Sequence, residues 1–346
     1  MPGGFLVLSP GLHSTVQDFG RFGFQDLGVP VAGALDVIGL RLANALVGNL
    51  PGEAGLEISY LGPSLRVTAA SVRLAVCGPV RLSLTTGDGE SRPLEADRSH
   101  RLTRGDVLTI GAVERVAVAY LAVAGGFDLP PVMGSLSTYV RAGLGPLGGK
   151  PLAAGTVLPL RRAEAEPRGE YALANPAPYG GGPIRVVPGP QRDCFTEEAL
   201  ATFLSAEYAV TKDADRMGLR LDGPALRHRA GADIPSDGLV SGCVQVPGNG
   251  SPIILLADHQ TAGGYAKIAT VISADLPRVG RAVPGTRLSF AAVTVEQAEQ
   301  ARRALESDIL GRVAGLVPVA FGIDPVALYS RDLVSGMIDA ISGEGR

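Results

Sequence analysis

The stretch Ile253-Ile-Leu-Leu-Ala-Asp-His-Gln-Thr-Ala-Gly-Gly-Tyr-Ala-Lys-Ile-Ala-Thr-Val-Ile272 decides how this chain is read. Its two apolar runs, Ile253–Ala257 and Ile268–Ile272, have the composition and length of buried strands. Between them, Asp258–Lys267 holds one acid, one histidine, one amide, two adjacent glycines, a tyrosine and a lysine. A simple connection needs no such variety. A Gly-Gly pair beside strand ends lets bare backbone N–H groups approach a ligand closely, and polar side chains on both sides can orient it. Asp258–Lys267 is therefore the first candidate for a functional site.

The bulk composition sets the frame. At 346 residues the chain is long for one core, so two domains or two similar halves are expected. Hydrophobic residues make up 46%, but aromatics only 5%, with no Trp, so the interior must be built from Val, Leu, Ile and Ala. Gly 47 and Pro 26 are dispersed without period, which reads as many turns between short strands. A net charge of −3 and the lack of any Lys/Arg run argue against nucleic acid as a partner. No apolar run reaches the roughly 18 residues of a membrane span. The N-terminus reads as a first strand and not as a signal peptide. Cys77, Cys194 and Cys243 are far apart with no metal or redox spacing, and the cytoplasm is the simplest compartment.

Along the chain, residues 5–8 and 14–16 read as short strands. Leu35, Ile38, Leu42, Leu46 and Val47 share one helical face across Asp36–Val47, with Gly48 as the stop. From about Leu56 to Leu160 the pattern is β, as in Leu65–Thr68, Val72–Val76, Val80–Leu84 and Val116–Val123. The charged and breaker-rich stretch after Arg161 reads as a boundary. A second β block follows from Ile184 to about Ala291, with a short helix at Thr196–Leu204. Thr294-Val-Glu-Gln297 fits a capping box for a helix to about Leu310, and a further helix is expected over Pro325–Ile341. The division is then an N-terminal β domain (1–165), a linker (166–183), a second β domain (184–291) and a helical tail (292–346). Gly105, Gly155 and Gly285 each open a Gly-x-x-Leu step into a strand, an echo that simple turn chemistry explains. The tail's plainest role is to cover an exposed barrel edge.

Several segments together resemble one family. They are Thr15-Val-Gln-Asp-Phe-Gly-Arg21, Leu27–Asp36, Asn44–Asn49, Val123-Ala-Gly-Gly-Phe127, Met133–Ser135 and Ser137–Tyr139. The second half adds Val187-Pro-Gly-Pro-Gln191, Asp215–Pro224, Ser236–Gly238, Gln245–Pro247 and Asp258–Lys267. In order and over most of the β part, these resemble the biotin-dependent carboxyltransferase family, also called the allophanate hydrolase subunit 2 family. The resemblance implies a mainly β fold of two tandem cyclophilin-like β-barrel domains. Within the family it is greatest to the C subunit of 5-oxoprolinase. It implies work within a complex in ATP-dependent opening of 5-oxoproline to glutamate, beside the A and B subunits of 5-oxoprolinase or an allophanate hydrolase subunit 1-like protein. Two other roles occur in the family: carboxylation of urea or another amide from carboxybiotin, and non-enzymatic regulation of the Kip-antagonist type. The chain has no Met-Lys-Met and no phosphate loop, so ATP or biotin must be carried by a partner.

Lactam opening and carboxyl transfer both build charge on a carbonyl or carboxylate oxygen and need a proton carrier near an amide nitrogen. Gly263 and Gly264 can present backbone donors. Lys267 or Arg21 can hold an anionic group, and Asp18 or Asp258 can orient the cation or accept a proton. Gln17, Gln245 and Gln260 can read an amide by paired contacts, with Tyr265 beside them. Each has a plainer rival. Asp18 and Arg21, three apart, suit a local ion pair bracing a turn. Asp258 suits a turn cap, Gly263-Gly264 a bulge, and Asp237-Gly238 a turn before a site. Arg216 is assigned to structure, because its neighbour Asp215 would face the opposite way on a strand. Cys243 reads as a small buried filler. His13, His100, His228 and His259 form no cluster, and no metal is expected.

Overall fold

The computed structural model describes residues 3–175 and 179–319. The architecture is mainly β with few helices. In the N-terminal half a six-stranded sheet runs in the order Val157–Pro159, Gly4–Ser9, Ser64–Val67, Val107–Val113, Val80–Thr85, Ser91–Leu94. A five-stranded sheet runs His13–Gln17, Gly55–Ser59, Val118–Val123, Ser71–Cys77, Ser99–Thr103. Phe5, Leu56, Leu74, Leu108, Leu121 and Leu158 fill the space between them.

The strand Val118–Val123 shows why its sequence is apolar without a break. Successive side chains leave a strand on opposite faces. Ala119, Leu121 and Val123 enter the core between the sheets, and Val118, Tyr120 and Ala122 meet the helix Val37–Val47. That helix begins where the Asp36 carboxylate accepts from the N–H groups of Ile38 and Gly39 at 3.0 and 3.1 Å. It ends at Gly48, whose φ of 78° is left-handed. Ile38, Leu42 and Leu46 are all buried against the sheet, each contributing about 1.5–3 kcal/mol of apolar burial.

The second half is built on one eight-stranded, nearly closed sheet. Its order is Arg287–Leu288, Tyr208–Val210, Gly218–Asp222, Ile253–Leu255, Cys243–Gln245, Lys267–Val271, Ile184–Pro188, Phe290–Ala292. All its pairings are antiparallel except the last. Its own core includes Phe203, Tyr208, Val244, Ile254, Ile268 and Phe290. The helix Glu197–Ser205, capped by Thr196, packs on it. A separate two-stranded ribbon, Asp233–Gly238 with Ala262–Tyr265, lies outside this sheet.

The segment 166–183 is anchored at several points. Glu170 is buried against Arg73, Tyr171–Ala172 pairs with Val317–Pro318, and the Tyr179 hydroxyl donates to Asp36 at 2.6 Å. Arg281 of the second half donates to the same Asp36 at 3.0 Å while lying over the Tyr179 ring. The tail helix Val295–Ala314 carries the full capping box at Thr294 and Gln297. It packs on the helix Val37–Val47 through Ile309 and an Arg41–Glu306 pair at 2.9 Å, and also contacts the strand Ile184–Pro188 beside the edge strand of the second sheet. Pro325–Ile341 lies outside the described residues. Gly105, Gly155 and Gly285 all have positive φ, as the turn explanation of their shared pattern requires.

Candidate active site

Lys267 begins the strand that follows the ribbon, directly across from Gln245, with a bulge beside the pair. Its neighbour Ile268 enters the barrel core, so Lys267 projects the other way. It is nevertheless only 3% exposed. The ribbon accounts for this burial: Lys267 Nζ donates to Asp237 Oδ2 at 2.6 Å, with the Gly238 carbonyl at 3.5 Å. Gln191 closes the group. Its side-chain oxygen accepts from the Lys267 backbone N–H at 3.3 Å and its Nε2 donates to Asp237 at 3.2 Å. The hydrogen bond from Lys267, then one from the Gly238 N–H, holds the Asp237 carboxyl below the usual range.

The glycine pair works through close approach rather than unusual backbone angles. A Cβ on Gly263 would lie 2.9 Å from Gln245 Nε2 and from Leu239 Cδ1. Glycine therefore lets Gln245 and Leu239 pack on the ribbon's backbone. The register irregularity falls on the facing strand, between Asp233 and Asp237. Gln245, 2% exposed, has an Nε2 with no hydrogen-bond acceptor among the described residues. Such an orphaned donor is costly unless a ligand or water supplies an oxygen.

Gln245, Gln260 and Tyr265 line one cavity of about 920 Å³, together with Arg141, Asp215 and Arg220. The Arg141–Asp215 pair, at 2.9 Å, joins the two halves across its mouth. Lys267, Gly263 and Gly264 do not line this cavity; they form the layer that supports Gln245 beside it. A smaller cavity of about 310 Å³ between the halves is lined by His13, Tyr60, Arg141, Asp215, Arg216 and Asp258 among others.

Asp258 is held in a different arrangement. Arg216 donates to both its oxygens at 2.9 Å, and also to Glu57 and to the Gly33 carbonyl. Glu57 in turn accepts from the Leu35 N–H and the Tyr120 hydroxyl. All three ionised side chains are nearly buried, and together they clasp the second half to the first. Burial alone pushes the Arg216 guanidinium down; Asp258 and Glu57 more than reverse this and hold it above its usual value. Asp215 pairs instead with Arg141, and because Arg216 lies in a turn rather than a strand, both neighbours line the smaller cavity. Burial, aided by Arg216, lowers the nearby His13 imidazole.

Gln17, Asp18 and Arg21 form a third group, in the first half, around Ser135–Thr138. Asp18 accepts from Ser135 Oγ, the Leu136 N–H, Ser137 Oγ and the Gly20 N–H, all within 2.8 Å. It makes no ion pair with Arg21; both instead meet Ser137, Asp18 at the hydroxyl and Arg21 at the carbonyl. Arg21 is 1% exposed. Gln17 donates to Thr15 Oγ1 and the Thr138 carbonyl. His259 is buried with Nδ1 2.5 Å from the Gln260 carbonyl, and burial lowers its imidazole. Cys243 is buried with its sulfur 3.9 Å from Thr270 Oγ1. Among the described residues no group of His, Cys, Asp and Glu side chains is arranged to hold a metal, and no helix is long and apolar enough to cross a membrane.

The geometry therefore separates the residues of the sequence reading. Gln245, Gln260 and Tyr265 share a cavity, Lys267 and the glycines support it, Asp258 belongs to the clasp, and Gln17, Asp18 and Arg21 brace a loop. Sequence reasoning gave no role to Gln191, Arg141 or Glu57 and took Asp237 as a turn. Gln191 sits in the quoted Val187–Gln191 block and Asp237 in Ser236–Gly238, whereas Arg141 and Glu57 carry no local signal.

Comparison with known proteins matches this arrangement to a family. Residues 27–292 match the family described as carboxyltransferase domain, subdomain A and B. The chain is 36% identical over 304 residues to the C subunit of 5-oxoprolinase from Escherichia coli, covering 86% of this chain and 94% of that protein. It is 32% identical to the corresponding 5-oxoprolinase C subunit of Haemophilus influenzae, again covering 94% of it. The crystal structure of Kluyveromyces lactis urea carboxylase superposes with a TM-score of 0.79 at 30% identity, over 89% of this chain but 29% of that much longer one. The chain belongs to the biotin-dependent carboxyltransferase family, the family of carboxyltransferase domains with subdomains A and B.

Proposed function

We propose that this chain is one component of an ATP-dependent 5-oxoprolinase complex and takes part in opening the 5-oxoproline lactam to glutamate, together with partners equivalent to the A and B subunits. The observation that carries this reading is the orphaned Gln245 Nε2 beside a 920 Å³ cavity. The support from relatives is the near-complete overlap with two proteins named as the C subunit of 5-oxoprolinase. Gln245 donates to the lactam carbonyl oxygen, where charge gathers as the ring opens. Gln260 supplies an amide able to pair with the ring N–H. Arg220 on the cavity wall makes no ion pair among the described residues and suits the substrate carboxylate. The Lys267–Asp237–Gln191 group lies outside the cavity lining and holds from behind the strand pairing that positions Gln245. Asp258 and Asp18, with their oxygens already committed, keep the architecture. ATP enters through the partners.

The test is reconstitution with the candidate partner proteins, reading glutamate formed from 5-oxoproline. Hydrolysis that needs this chain supports the reading, and hydrolysis indifferent to it defeats the reading. The match to the carboxyltransferase family also favours a second reading, transfer of a carboxyl group from carboxybiotin on a partner to urea or another amide. Avidin-sensitive turnover separates the two.

A further inference from the structure

Away from that cavity, and sharing no residue with it, a second pocket of about 450 Å³ opens at the edge strand Ser99–Thr103 of the first half. Five arginines line it (Arg73, Arg92, Arg98, Arg101, Arg168) against a single acid, Glu170. In a chain of net charge −3 this concentration is local and not a general basicity. Arg73 and Arg101 stand directly opposite each other on paired strands, an arrangement that costs stability unless the charges are answered. Only one of them is. Glu170 is used by Arg73 through both oxygens and by Ser99. Among the described residues Arg101 donates only to Ser71 Oγ, at 3.2 Å. Arg168 reaches the Leu46 carbonyl and the face of Tyr171, and Arg92 makes no ion pair among the described residues. Arg98 pairs with exposed Glu95 through Nη1 but leaves its buried Nε without an acceptor. Burial, with Arg98 and Arg92 adding to it, lowers the His100 imidazole in the same wall.

The geometry points to a binding site for a phosphate-bearing anion, held by Arg92, Arg98, Arg101 and Arg168. Guanidinium forks match phosphoryl oxygens in pairs, and several forks around one cavity suit a ligand with more than one negative charge. The volume falls in the range of small-ligand pockets. The site stands independently of the lactam reading.

Isothermal titration of the full chain at low ionic strength, with inorganic phosphate, pyrophosphate and ADP as separate probes, tests it. Saturable binding of at least one probe is expected, weakened at least about tenfold in Arg92→Gln/Arg101→Gln. A control with the same charge change at exposed sites away from this pocket, Arg287→Gln/Arg303→Gln, should keep its affinity. Arg92→Glu alone, at an exposed and unpaired position, gives the same test without touching the fold. ADP binding about tenfold tighter than phosphate or pyrophosphate, with adenosine competing, assigns the phosphate to a nucleotide. Comparable affinities assign it to free phosphate or pyrophosphate. Lack of saturable binding by all three probes overturns the inference, as does equal weakening in the remote control.

Discussion

Replacing Arg216 by alanine isolates the clasp between the halves. The guanidinium makes two hydrogen bonds to Asp258, one to Glu57 and one to the Gly33 carbonyl. The two carboxylates have side-chain exposures of 6% and 1%, so water does not replace what is lost. Removing one partner of a buried, hydrogen-bonded charge group costs about 3–5 kcal/mol, because the remaining charges stay buried without compensation. At the shallow slope for a chain this long, about 2 °C per kcal/mol, the thermal midpoint should fall by roughly 6–10 °C. The pH dependence gives a sharper signature. An unpaired buried carboxylate binds a proton more readily in the folded state than in the unfolded one. The folded variant then holds more protons, so its stability falls as pH rises. The deficit relative to wild type should therefore be larger at about pH 8 than at about pH 5. Urea denaturation at both pH values, followed by circular dichroism, measures it. A loss below about 1 kcal/mol, or one that does not change with pH, refutes the claim that Arg216 compensates two buried charges.

Gly263→Ala places a methyl group 2.9 Å from Gln245 Nε2 and Leu239 Cδ1. It should cost about 1–3 kcal/mol in stability and raise KM for 5-oxoproline in the reconstituted complex; wild-type KM would separate the glycine from the cavity. Because Lys267 depresses the Asp237 carboxyl, the pair's contribution is present above the unfolded Asp value and is lost as pH falls through the folded one. A carbon-detected NMR titration should place Asp237 below a free aspartate in wild type and higher in Lys267→Ala, whereas identical midpoints would rule out the ion pair in solution. Thr294→Ala removes the cap of the tail helix, for a loss of about 1 kcal/mol. Faster amide exchange should then be confined to the first turn of Val295–Ala314, and unchanged exchange there would show that the cap contributes nothing.

What the sequence made legible was local. Asp36 and Gly48 bound their helix because a cap and a left-handed stop act within a few residues. Thr294 and Gln297 mark the tail helix for the same reason. Asp258–Lys267 was visible as unusual because its residue types do not suit a plain connection. What stayed hidden depends on pairing across the chain. Asp237 looks like a turn residue until the ribbon brings it to Lys267, 30 positions away. Glu57 is 159 positions from Arg216, and nothing near either announces the other. Asp18 and Arg21 have the spacing of a local ion pair, but Ser135–Thr138 arrives from far along the chain and takes both. The Gly-Gly pair was read as a source of backbone donors for a ligand; in the structure the groups that approach Gly263 are the side chains of Gln245 and Leu239.

The central claim is that the cavity reads its substrate through Gln245. The most direct measurement is kcat/KM for 5-oxoproline in the reconstituted complex carrying Gln245→Leu, a change of similar size that removes the donor. Loss of a hydrogen bond to a carbonyl that gains charge, worth about 1.5–3 kcal/mol, predicts a fall of roughly 10- to 150-fold. An unchanged kcat/KM in a folded, assembled variant would contradict the account.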